Sequence, residues 1–65
     1  MSLYYAERQE LAKALRRYVR DESGYEDSKK IYLLGLINKF ENWGLHRLEE
    51  ADLDAFNEML QEALE

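Results

Sequence analysis

Residues 23–44 read SGYEDSKKIYLLGLINKFENWG, and the fold is decided in this stretch. Leu33, Leu36, Ile37 and Phe40 fall at the three-and-four spacing of one helix face. Ile31, Tyr32, Leu34 and Trp43 widen that stripe until more than half of the helix circumference is apolar. A helix of this kind needs cover on two sides. The spacing therefore predicts, over about 25–43, the middle member of a three-helix bundle, or a helix that also meets another chain.

The ends of this segment carry stop and start signals. Ser23 and Glu26 stand three apart and match a capping box, with Asp27 and Ser28 as alternative caps. Gly44 suits the position after the last turn, where a left-handed conformation is needed. Gly35 lies inside the helix at a cost of about 1 kcal/mol relative to alanine, which predicts a neighbouring backbone or side chain packed closely against it.

Working outward, Tyr4, Leu11, Leu15 and Tyr18, flanked by Ala12 and Val19, predict a first helix over about 4–21. Its other side is charged, with Arg8, Lys13, Arg16, Arg17 and Arg20 among the residues there, and Asp21-Glu22-Ser23-Gly24 breaks the period. Toward the other end, Leu53, Phe56, Leu60 and Leu64, with Met59 and Ala63 beside them, predict a third helix over about 49–64. Leu48 before the cap and Leu53 after it fit a hydrophobic staple, with Glu49 near the cap and Asp52 in the first turn.

Composition agrees with this pattern. The chain of 65 residues has no proline, no cysteine and no threonine, and Val19, Ile31 and Ile37 are its only β-branched residues. Strands lack their usual material, whereas leucine, alanine, glutamate, lysine and arginine lose least on entering a helix. The expected fold class is all-α: one small three-helix bundle with short connections, forming a single domain over 1–65. A chain this short buries only about 60% of the surface its unfolded form exposes, so a stability of a few kcal/mol is expected and self-association would add to it. No apolar run approaches the roughly 18 residues of a membrane span, and a cysteine-free composition is compatible with the cytoplasm, the expected compartment.

The net charge of −5 conceals an uneven distribution. Residues 4–20 hold five basic and two acidic side chains, a net of +3, whereas Glu49–Glu65 holds seven acidic residues and no basic one. Glu50, Asp54, Glu58 and Glu62 repeat every four positions, and like charges at that spacing oppose one another. The basic surface of the first helix, in the same bundle or in a second copy, is the nearest expected counterpart; a solvated ridge that favours solubility is the plainer expectation.

Five tyrosines, two phenylalanines and one tryptophan form the other notable feature. Phe40 and Phe56 fit the core stripes, while Tyr5 and Tyr32 are expected to remain outside. Tyrosine and tryptophan combine large apolar area with a polar tip and are favoured at interfaces.

Catalysis finds little footing. His46 is the only histidine, Ser2, Ser23 and Ser28 are better explained as terminus or caps, and no glycine-rich phosphate loop is present. No cofactor and no metal are expected, since His46 with Glu49 or Glu50 falls short of a fixed set of three ligands. A helix-turn-helix role is disfavoured because the helix entering the groove would be the acidic one.

The expectation is a small, non-enzymatic protein–protein interaction module that self-associates, as a homodimer, or docks a protein partner. Its candidate contact residues are Tyr5, Arg16, Tyr18, Arg20, Tyr32 and Trp43. The alternative is a small nucleic-acid or nucleoprotein regulator acting through the basic face of the first helix, with Arg16, Arg17, Arg20 and Tyr18 as contacts.

Overall fold

The computed structural model describes residues 5–65, so the expected role of Tyr4 in the first helix lies outside the described residues. Three α-helices follow in order: α1 (Tyr5–Arg17), α2 (Asp27–Trp43) and α3 (Glu50–Leu64). Among the described residues there are no strands, and the chain is an all-α three-helix bundle. The radius of gyration of 11.0 Å is close to the roughly 11 Å expected of a compact chain of this length.

The core is a single apolar cluster. α1 contributes Ala12, Leu15 and Val19 just beyond it, α2 contributes Leu33, Leu36, Ile37 and Phe40, and α3 contributes Phe56 and Met59, with Leu48 closing the cluster from the linker. Phe40 and Phe56 meet across the α2–α3 seam with ring centroids 5.0 Å apart and planes tilted by 39°, an arrangement that rings prefer to a face-to-face sandwich. No charged or polar residue is buried among the described residues. The bundle thus holds together by apolar burial, the term that must outweigh chain entropy in so short a chain.

Several expectations change in detail. Beyond Arg17 the first helix goes on through a π-helical rather than an α-helical turn, Tyr18–Glu22, closed by the Ser23 amide donating to the Tyr18 carbonyl at 2.9 Å. The capping box is not formed. Ser23 instead faces back: its Oγ donates to the Val19 carbonyl at 2.7 Å and accepts the Tyr25 amide at 3.2 Å. It therefore finishes the first helix rather than starting the second, a local competition that serine hydroxyls commonly win at helix ends. Glu26 precedes α2 without a side-chain cap. Gly24 with φ +73° and Gly44 with φ +88° make the two reversals, in the region that glycine enters most cheaply.

Gly35 contradicts its expectation. A Cβ placed on it would meet nothing within 4 Å, and the residue is exposed, so no neighbour in the bundle requires glycine there. Ile31 and Leu64 also depart from the core stripes, with relative exposures of 71% and 72%. Leu34, Leu53 and Leu60 are half-buried and pack against the core, and Leu48 is buried.

Candidate functional site

α1 and α2 run antiparallel and are joined by cations. The Arg16 guanidinium donates to Asn38 Oδ1 at 2.7 Å and forms an ion pair with the Glu41 carboxylate. Arg8 Nε donates to the Glu41 carbonyl at 3.2 Å, and Lys30 Nζ donates to the Arg20 carbonyl at 3.2 Å. The basic face of α1 therefore finds its ion pair in α2. The expected intramolecular pairing with the acidic ridge of α3 does not occur, because Arg16–Glu41 is the one ion pair found among the described residues.

α3 is tied by phenols instead. Tyr25 Oη donates to Glu62 Oε2 at 2.5 Å, and Tyr32 Oη donates to Asp52 Oδ1. Burial, the bond to Glu62 and the adjacent Tyr18 push the Tyr25 hydroxyl well above its ordinary titration range. The bond to the Asp52 carboxylate also shifts the Tyr32 hydroxyl upward. Both phenols stay neutral at physiological pH and act as donors to the carboxylates of a helix that has no basic residue.

The six sequence candidates do not form one patch. Tyr5 and Trp43 are exposed at the same end of the bundle, since the Arg8–Glu41 contact brings the start of α1 to the end of α2. Each carries a guanidinium over its ring, Arg8 at 5.5 Å from Tyr5 and Arg47 at 5.4 Å from Trp43. Tyr18 and Arg20 lie at the opposite end, with Tyr18 edge-on to Tyr25 at 6.2 Å between centroids. Tyr32 sits on the α2–α3 seam, and Arg16 is half-buried on the α1–α2 seam.

A surface that the sequence analysis did not single out lies on the outer side of α2. Ser28, Ile31, Gly35, Asn38 and Asn42 are all exposed and follow a 3-4-3-4 spacing opposite the core stripe. None is charged, in a chain that is 35% charged. The outer face of α3 carries Glu50, Asp54 and Glu58, and that of α1 mixes Lys13, Arg17 and Arg20 with Glu10 and Asp21. The signal was present in the sequence as a second spacing on the reverse face of α2, hidden because only one of its members is apolar.

Other candidate chemistry is weaker. The described residues hold no group of three His, Cys, Asp or Glu side chains suited to a metal ion, and no described helix is long and apolar enough to cross a membrane. An open depression of about 720 Å³ runs beside Lys13, Arg17, Tyr18 and Arg20. All of its walls belong to the first helix and its π-helical extension, so it is the space between long side chains rather than an enclosed site. No known protein family, curated protein or solved structure matches the chain.

Proposed function

We propose that this chain is a non-enzymatic protein–protein interaction module of the cytoplasm whose contact surface is α2 and its C-terminal end. One observation carries this reading: the helix that supplies the largest share of the core also exposes Ile31, Tyr32 and Trp43, with Leu45 exposed just beyond it. Exposed apolar and aromatic side chains beside a charge-depleted stripe have the composition of an interface centre, where aromatic residues are enriched and charges are few. The charged outer faces of α1 and α3 flank this surface and favour orientation and solubility over affinity.

The nucleic-acid reading finds less support. Arg16 is engaged with Glu41, and Arg17 and Arg20 stand beside Asp21 and Glu22, so the basic side chains make no continuous cationic track for phosphates.

The test is site-specific photo-crosslinking in cells, with a photoreactive amino acid at position 31 or 43 compared with position 54 or 58. Protein adducts are expected from the two α2 positions alone. Adducts formed equally well from the α3 positions, or from none of the four, would contradict the reading.

A further inference from the structure

Resting on that interaction reading, we infer that the outer stripe of α2 is a seam for a second copy of this chain, the two α2 helices crossing antiparallel on a two-fold axis near Gly35. The first support is Gly35 itself. It sits in the exposed middle of a helix where a Cβ would meet nothing within 4 Å, so the bundle alone gives no reason for the least helix-favouring residue after proline. A crossing backbone would give one, because glycine allows close approach.

The second support is Ile31, one turn earlier on the same face and 71% exposed. Gly35, Asn38, Lys39 and Asn42 stand at the i, i+3, i+4, i+7 positions of a hole into which a knob from a facing helix fits. In an antiparallel pair centred near Gly35, Ile31 of each copy enters that hole on the other. Ser28 then stands level with Asn42 of the other copy, which sets a hydroxyl beside an amide.

Charge selects the occupant. In a two-fold contact every face meets itself, and the chain carries −5 overall. The α3 face would set Glu50, Asp54 and Glu58 against the same carboxylates, whereas the α1 face is a mixture of Lys13, Arg17 and Arg20 with Glu10 and Asp21. The α2 stripe, which carries no charge of its own, meets its own image without opposing like charges along its centre.

A helix of 17 residues is about 25 Å long. Such a seam covers less than the roughly 1,200 Å² of a standard interface, so the dimer is expected to be weak and to form only at high protein concentration.

Sedimentation equilibrium of the intact chain up to about 2 mM tests this, comparing wild type, Ile31→Glu and Gly35→Ala, with melting measured on dilute samples. Wild type is expected to dimerise reversibly and Ile31→Glu to stay monomeric with an unchanged fold, since Ile31 lies outside the core. Gly35→Ala is the sharper probe. It should raise the melting temperature of the dilute monomer by roughly 4 to 8 °C, yet weaken the dimer about tenfold or more.

A wild-type monomer at the highest concentration, or a dimer unaffected by both variants, would overturn the seam. Crosslinks from position 31 to a different protein, with no self-association, would end the second-copy inference and leave the interaction reading standing. The absence of any α2 crosslink would end that reading itself.

Discussion

On its α1 side, α2 meets arginine and lysine: Arg16 on Glu41 and Asn38, Arg8 on the Glu41 carbonyl, and Lys30 reaching back to the Arg20 carbonyl. On its α3 side it meets phenylalanine and tyrosine, with Phe40 on Phe56 and the hydroxyls of Tyr25 and Tyr32 directed at Glu62 and Asp52. The difference follows from composition. α3 has no basic residue, so its carboxylates find no cation within the helix, and the phenols of Tyr25 and Tyr32 donate to two of them without adding charge. Both seams rest on apolar burial; the polar fastening of one is charged and salt-sensitive, and that of the other is made by neutral tyrosines beside an aromatic pair.

The largest expected effect breaks the aromatic seam. Phe56→Ala should cost about 3 to 5 kcal/mol, and Leu15→Ala on the α1 side about 2 to 5 kcal/mol. Either is enough to unfold a domain holding only a few kcal/mol, and loss of the cooperative transition by circular dichroism would register it. Survival of Phe56→Ala with an unchanged melting temperature would mean that α3 contributes little to the bundle.

Next comes the ion pair. Glu41→Gln removes the carboxylate from a half-buried Arg16, at a cost of about 1 kcal/mol that shrinks as salt is raised. Chemical denaturation of both proteins at low and high salt measures it. An equal loss at every ionic strength would point to packing rather than charge.

The smallest effect separates the seams by pH. Because the fold raises the Tyr25 and Tyr32 pKa values above those of the unfolded chain, their contribution is fully present below about pH 10 and is lost as the pH rises beyond it. Urea denaturation between about pH 8 and pH 11 should show stability falling at the alkaline end. The double variant Tyr25→Phe, Tyr32→Phe should be less stable at neutral pH and show a shallower alkaline loss. In Tyr25→Phe alone the neutral-pH cost should be about 1 kcal/mol. An alkaline slope identical in wild type and double variant would show that these phenols play no part.

Much of this bundle could be read from residue spacing, because burial imposes a period. The stripes through Leu15, Leu33, Leu36, Ile37, Phe40 and Phe56 are core in the structure as they are in the sequence, and Tyr5 and Tyr32 are outside as expected. What spacing did not give is how each helix is rotated and how far it slides along its neighbour. Those quantities decide that Arg16 meets Glu41 rather than α3, that Tyr25 reaches Glu62, and that Leu64 ends beyond the core.

Ser23 illustrates a second kind of miss. A serine between two helices can serve either one, and the choice depends on the π-helical turn that brings the Val19 carbonyl within 2.7 Å of its hydroxyl. The α2 stripe was overlooked for a third reason: surfaces built from Ser28, Gly35, Asn38 and Asn42 carry no hydropathy signal.

The most direct measurement is a dilution series of two-dimensional amide NMR spectra, from about 20 µM to about 2 mM. Signals of Ile31, Gly35, Asn38 and Asn42 should move progressively with concentration, while those of Lys13, Arg17, Asp54 and Glu58 stay fixed. Spectra that do not change, or changes centred on α1 or α3, would contradict the assignment of the outer face of α2 as the seam where two copies of this chain meet.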